Sequence, residues 1–370
     1  MIGLFLNLIG LITGVANVGE PPKAELLFIG DAMQHEGQLK KAKEIGKGNG
    51  YDFSECFTLM APEIQKADYA VVNLEVPLGG PGTYSGYPCF SAPDSYVQAL
   101  IDAGFDMMLT SNNHCLDKRD KGARRTLTVL DSLKVDHIGT YRNLAERDSL
   151  VPFITDINGF KIAFLNYTYG TNGIKPTDGV EVSLIDKPKM KKEIQLAREK
   201  GAEIVVVTIH WGIEYVLLQN KNQEDIANFL VDAGADMIIG GHPHVIQPMK
   251  VVHNEKENKD VLIVYSLGNF ISNMNTADTR GGAMVWTTIT RDDNGKAIFD
   301  HADYDIFYSA KPENGSNFKV IPSWDENLIS SSQKNYWNLF KRGALNIFDA
   351  HNVNVPRRQF SSQTADDSGK

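Results

Sequence analysis

IVVVTIHWG at residues 204–212 and DMIIGGHPHVIQPM at 236–249 share one pattern: a short apolar run, rich in β-branched residues, that stops at a histidine beside glycine or proline. Runs of this length bounded by turn residues read as strands, and their near-continuous hydrophobicity fits a sheet buried on both faces. The pattern recurs towards the N-terminus. Strands are predicted over 25–30 (ELLFIG), 69–74 (YAVVNL), 106–110 (DMMLT), 161–166 (KIAFLN), 204–209 and 236–240, with helices near 54–66, 94–103, 121–133, 187–200 and 223–233. Such alternation predicts βαβ units with much parallel sheet.

After about Asn254 the rhythm changes. The runs 261–267 (VLIVYSL), 283–290 (AMVWTTIT) and 297–308 (AIFDHADYDIFY) have no helices between them and read as antiparallel strands, with a turn at Asp293-Asn294-Gly295. Parallel units followed by a meander predict an α/β sandwich of two sheets with helices outside. The expected plan is one large domain over 24–310, a helical extension over 311–350 packed on it, and a polar, disordered tail over 351–370.

The chain has 370 residues, 42% of them hydrophobic, and a formal net charge of −9. That acidity repels phosphate backbones and excludes generic nucleic-acid binding. An anionic polymer would need a local basic patch. Cys56, Cys89 and Cys115 show no Cys-x-x-Cys spacing and, being odd in number, make no disulfide framework. Gly46, Gly48 and Gly50 match no nucleotide-binding fingerprint, and no Gly-x-Ser-x-Gly elbow occurs.

Residues 2–16, IGLFLNLIGLITGVA, form an apolar stretch with Gly14 and Ala16 spaced as at a signal-peptidase site. The run is shorter than the roughly 20 residues a membrane-spanning helix needs. Residues 1–18 are therefore expected to be a signal peptide or N-terminal anchor, and the protein extracytoplasmic, periplasmic or attached to the cell envelope. No Lys or Arg precedes the run, so a buried N-terminal helix stands as the alternative.

The ends of the strands carry the chemistry. Asp31 follows LLFIG, Glu75 follows AVVNL, Asn113-His114 follow MMLTSN, His210 follows IVVVTI, and His242-Pro243-His244 follow MIIGG. Taken singly, Asp31 reads equally as a helix cap, Glu75 as a loop carboxylate and His210 as a core histidine. Together they place metal-binding groups at the C-terminal ends of five strands, the edge where ligands converge in parallel sheets. Two divalent ions about 3.5–4 Å apart need a bridging carboxylate with imidazole and oxygen ligands on each side. A donor set without thiolate suits Mn, Fe, Zn or Mg.

The order Asp31, Glu75, Asn113-His114, His210, His242-x-His244 resembles the five-block signature of calcineurin-like metallophosphoesterases. The local wording GDAMQHEGQ, NLEVPL, SNNHCLD, HWGIEY, GGHPHVIQP and YSLGNFIS is more similar to the CapA/PgsA family of poly-γ-glutamate capsule-synthesis proteins, over roughly 25–275. The resemblance implies a four-layer α/β/β/α sandwich with mixed sheets and one or two divalent metal ions. Glu75 would bridge; Asn113, His210 and His242 would complete one metal site, Asp31 and His244 the other. His114 would be the general acid, with Asp117 either orienting it or capping the next helix.

Two departures stand out. Phosphoesterases usually carry Asp-x-His in the first block, where this chain has Met33, a poor ligand for hard ions. His35 or Gln34 would have to substitute, or the Asp31 metal would be weakly held or missing. Glu75 also stands where phosphatases use aspartate. The implied substrate is an anionic or peptide-like envelope polymer, acted on by a hydrolase-type site. A non-catalytic component of a membrane synthase complex and a phosphodiesterase are the alternatives. Lys118 and Arg119, with Lys121, Arg124 and Arg125, form either the required basic patch or a solvated helix face, and Trp211 either contacts substrate or belongs to the core.

Overall fold

The computed structural model describes residues 22–360; the expected N-terminal segment 1–18 and residues 361–370 lie outside the described residues. The first of its two large sheets has eight strands. Along its main path the order is Lys319–Pro322, Ala297–Ala310, Gly281–Arg291, Ala24–Ala32, Tyr69–Leu74, Met107–Leu109 and Asp136–Ile138, and Asn269–Ile271 pairs with the end of Ala24–Ala32. The second sheet has six strands, in the order Met249–Asn254, Lys259–Val264, Met237–Gly241, Ile204–His210, Phe160–Thr168 and Phe153–Ile157.

Side-chain alternation makes these sheets stack. Leu26, Phe28 and Val71 of the first sheet face Ile204, Val206, Met237 and Ile239 of the second in one buried cluster. The intervening residues point outward. Leu27, Ile29 and Val72 pack with Tyr96, Val97 and Leu100 of helix Asp94–Ala103, while Val205, Val207 and Ile209 pack with Met190, Ile194, Ile226 and Leu230 of helices Lys187–Glu199 and Lys221–Ala233. A strand in contact with core on both faces has no polar side, which is why these runs read as continuously apolar. The architecture is the four-layer α/β/β/α sandwich with mixed sheets.

Parallel register brings the strand ends level: Asp31 lies opposite Asn73 and Asn269, and His210 opposite both Gly241 and Thr168.

Several expectations are corrected. The predicted strand 261–267 is Lys259–Val264 and belongs to the second sheet, parallel to Met237–Gly241 and antiparallel only to Met249–Asn254. The chain then crosses to the first sheet, where Gly281–Arg291 and Ala297–Ala310 do pair antiparallel. The predicted helix 54–66 is a 3-10 turn, Ser54–Cys56, and a short helix, Ala61–Ile64, with Pro62 in its first turn. A helix over Glu36–Ile45 was not among those predicted; Gln38 Oε1 accepts from the His35 backbone N at its start, 2.8 Å.

The extension over 311–350 first gives an edge strand, Lys319–Pro322, and becomes a long helix only over Lys334–His351. The tail expected to be disordered from 351 is ordered through 360. Val353 bridges Lys250 of one sheet and Arg357 bridges Tyr304 of the other, so this strap ties the two sheets together. Polar composition misled because the strap is held by backbone pairing and charge: Arg357 Nε donates to the buried Asp305 at 2.7 Å and Arg358 pairs with Asp303 at 3.0 Å. No helix among the described residues is long and apolar enough to cross a membrane.

Removing the Arg357 guanidinium leaves a buried carboxylate short of a partner. Arg357→Ala is expected to cost roughly 1–3 kcal/mol in urea unfolding; an unchanged midpoint would show that the strap contributes nothing to stability.

Candidate metal centre

The edge formed by Asp31, His210 and Gly241 is closed by a backbone that lets side chains approach unusually near. A Cβ on Gly240 would lie 2.1 Å from the Tyr265 carbonyl, and one on Gly241 would lie 2.8 Å from Asp31 Oδ1. The glycine pair thus permits the strand to run against the carboxylate. Beyond it, His242 and His244 both take left-handed backbone angles, φ +99° and +58°. Such angles are uncommon for residues other than glycine and persist where surroundings over-determine them.

Asp31 is fully buried and well provided with donors. Asn73 Nδ2 donates at 2.7 Å, the His242 backbone N at 3.2 Å, and His244 Nδ1 lies 3.2 Å from Oδ2. Burial alone would raise its pKa, but the His244 bond and charge, aided by His210 and Asn73, hold it at about 2.

Glu75 differs. It is equally buried, yet neither carboxylate oxygen has a hydrogen-bond donor among the described residues. Its Oε1 lies 3.4 Å from His210 Nε2 and 3.7 Å from His244 Nε2. Burial and the Asp31 charge push it well above the usual carboxylate range.

The imidazoles divide in the same way. His210 Nε2 meets Asn113 Oδ1 at 2.8 Å, and burial holds its pKa down at about 3. Burial, with the nearby His210 and His244, lowers His242 to about 2, and its Nδ1 has no partner. His244 goes the other way: burial would lower it, but Glu75 and Asp31 lift it to about 9. Asp31, Glu75 and His210 form one potential ligand group and Glu75, His242 and His244 another, the atoms in each lying within 4.8 Å of one another. Glu75 belongs to both, as a bridging carboxylate would. A donor-free carboxylate and an orphaned imidazole nitrogen, with His210 and His242 both held down by burial, fit a divalent cation by the hardness of the donors.

Beside this cluster His114 Nδ1 lies 2.8 Å from Asp117 Oδ2, with the Phe90 ring edge-on at 4.6 Å. Asp117 also accepts from the Phe90 backbone N at 2.7 Å, so its carboxylate orients the histidine and the loop beside it.

Other anticipated residues do not join the site. Trp211 is fully buried, donates from Nε1 to the Tyr265 carbonyl at 2.9 Å and packs in the outer core, because its strand has just ended on the helix-covered face. Lys118 Nζ is tied to Ser85 Oγ at 2.9 Å and the Cys89 carbonyl at 3.1 Å, while Arg119 stands exposed. Arg124 pairs with Asp178 and Arg125 with Asp94, each at 2.7 Å, so two of the five basic side chains are spent on local acids. His35 starts a helix, stacks edge-on against Phe90 at 5.2 Å and joins neither ligand group. Gln34 is buried with its Oε1 unpartnered, and Met33, 1% exposed, is a core residue.

Residues missed from sequence include Asn73, which links Asp31 to Asn112, and Asn269, whose Oδ1 lies 3.1 Å from His244 Nδ1. Both stand at strand ends, Asn73 two places before Glu75 and Asn269 within YSLGNFIS. Asn172, from the loop after Phe160–Thr168, accepts from Asn113 Nδ2 at 3.3 Å and carried no signal at all.

Two helix-flanked sheets with carboxylate, asparagine and histidine side chains gathered at one edge define an α/β/β/α sandwich with a candidate metal centre. Within that class, the chain matches the profile of the family described as bacterial capsule synthesis protein PGA_cap over residues 25–274, and it belongs to that family. It is 32% identical over 320 residues to the capsule biosynthesis protein CapA of Bacillus anthracis, covering 84% of this chain and 72% of the relative. Identity to the PGA biosynthesis protein CapA of Bacillus subtilis (strain 168) is 29% over 286 residues, 75% of this chain and 70% of the relative. Among solved structures, Haemophilus influenzae NAD nucleotidase aligns with a TM-score of 0.47 at 12% identity, over 86% of this chain and 62% of its own length.

Replacing the donor-free carboxylate separates metal from fold. Glu75→Gln is expected to leave the metal-free protein at least as stable, since it removes a buried charge beside Asp31, yet to abolish the rise in Tm on adding Mn²⁺. A variant that keeps the wild-type Mn²⁺ shift would refute the bridging role.

Proposed function

We propose that the chain is an exported, metal-dependent hydrolase of capsule biosynthesis, acting on an anionic or amide-linked envelope polymer of the poly-γ-glutamate kind. The observation that carries this reading is Glu75: a fully buried carboxylate with no hydrogen-bond donor, turned towards the imidazoles of His210 and His244. Uncompensated burial of a carboxylate costs several kcal/mol, so such a group is expected to meet a cation. The relatives' names, CapA proteins of capsule and PGA biosynthesis, support the pathway.

The family resemblance assigns Asn113, His210 and His242 to one ion and Asp31 and His244 to a second, whereas the close-lying ligand atoms group Asp31 with His210 and His242 with His244; Glu75 is shared in both divisions. When bound, an ion of this type supplies Lewis-acid polarisation of the bond to be hydrolysed and acidifies the attacking water. The chain's own residues do the rest. Asp117 accepts from Nδ1–H of His114, so a second proton taken up at Nε2 is the one that would pass to the leaving group. Asn73 and Asn112 keep Asp31 and the strand ends in place.

A second reading, a non-catalytic component of a membrane synthase or export complex, is favoured by Ile213, Val216 and Leu218. All are exposed on the loop after His210, a surface suited to a protein neighbour.

Purified protein is expected to hold divalent metal by elemental analysis and to lose it with His242→Ala. His114→Ala is expected to keep the metal but to lower polymer cleavage by about 10²–10⁴-fold. Full metal content in His242→Ala would remove the metal centre; unchanged polymer length with His114→Ala would favour the assembly role.

A further inference from the structure

The turn that leads into Asn269 is pinned against the end of strand Ala24–Ala32. A Cβ on Gly30 would lie 2.1 Å from the Gly268 carbonyl, and the Asp31 backbone N donates to that same carbonyl at 2.9 Å. Ser266 Oγ accepts from the Gly268 backbone N at 3.2 Å and donates to the Val245 carbonyl at 2.8 Å. On a backbone fixed in this way, the fully buried Asn269 stands opposite Asp31 and reaches His244.

The orientation of its amide follows from its neighbours. Asn269 Nδ2 lies 3.0 Å from the Thr279 carbonyl and 3.2 Å from the His244 carbonyl. Carbonyl oxygens only accept, so the atom facing both is the donor. The atom 3.1 Å from His244 Nδ1 is therefore Oδ1, an acceptor. The other neighbour of that ring nitrogen is Asp31 Oδ2 at 3.2 Å, an acceptor too. Two acceptors on one ring nitrogen place a hydrogen on it, so His244 carries N–H at Nδ1. The remaining nitrogen, Nε2, lies 3.7 Å from Glu75 Oε1. Asn269 thus grips His244 at its carbonyl and at its ring, and it does so where the backbone is held at φ +58°.

We infer that Asn269 is a positioning residue of the metal centre: its two-point clamp commits His244 Nδ1 to an N–H and leaves Nε2 as the nitrogen that meets a cation. Asp31 and His244 then touch at Nδ1 through a hydrogen, so an ion shared between them is held at Nε2. Metal-binding histidines commonly donate their other N–H to a carboxylate or carbonyl, which fixes the ring and raises its basicity. Here a carboxylate and an amide oxygen share that N–H. This inference rests on the metal-dependent reading above.

The test uses the full chain, ¹⁵N-labelled in its histidines and loaded with Zn²⁺. Long-range ¹H–¹⁵N spectra report which ring nitrogen is protonated, with the His244 signals identified by their loss in His244→Gln. Wild-type protein is expected to show His244 protonated at Nδ1 and coordinated through Nε2. Zn²⁺ affinity by calorimetry is expected to fall about 10–100-fold in Asn269→Leu. Ser266→Ala loosens the same turn without touching the imidazole and is expected to keep wild-type affinity. Coordination through Nδ1 in wild type overturns the clamp, and that spectrum decides the point even where Asn269→Leu does not fold. Unchanged affinity in folded Asn269→Leu, or an equal loss in Ser266→Ala, also overturns it; all three results leave the metal centre standing. Wild-type protein that binds no Zn²⁺ overturns the metal reading and the clamp together.

Discussion

Asp31 and Glu75 are two carboxylates withdrawn completely from water where the sheets converge, and the rest of the site is arranged around that burial. Asp31 is compensated from within by Asn73, by the His242 backbone and by a charged His244. Glu75 is not, since among the described residues no donor reaches either oxygen. Removing a carboxylate from water without pairing it is among the more costly things a fold can do. Its pKa therefore rises in the metal-free chain, and a divalent ion relieves the same cost without a proton.

That burial sets demands on the backbone. Gly240 and Gly241 carry no Cβ because one would meet the Tyr265 carbonyl or Asp31 itself. His242 and His244 accept left-handed angles so that both rings turn back towards Glu75. Around them Asn73, Asn113 and Asn269 act as neutral spacers, satisfying carboxylate and imidazole atoms without adding charge, and Asn112 holds Asn73 in place. In a low-dielectric setting such fixed dipoles are worth more than mobile water and cost no reorganisation.

The surroundings of the cluster qualify the simplest view of a polyanion-binding protein. Of the basic side chains that follow His114 in sequence, Lys118, Arg124 and Arg125 are bound to local partners, and Tyr169 and Tyr215 stand half-exposed beside the cluster. With a net charge of −9, the protein as a whole offers an acidic polymer no attraction. The strap over residues 352–360 lies elsewhere and serves stability by joining the sheets at Lys250 and Tyr304.

Much of the fold was legible because strands covered on both faces must be apolar throughout. Strand Tyr69–Leu74 and helix Asp94–Ala103 fall where the pattern puts them. Asp31, Glu75, Asn113, His210, His242 and His244 were legible as candidates because each directly follows such a run. Tertiary structure alone decided the rest. Which sheet Lys259–Val264 joins depends on pairing with strands distant in sequence, and apolar content is the same in either sheet. Trp211 and Lys118 looked like substrate contacts, yet the face a strand end turns to and the nearest acceptor are properties of the packed molecule. Asn172 comes from a loop with no periodicity to announce it, and it matters because the fold lays that loop against Asn113.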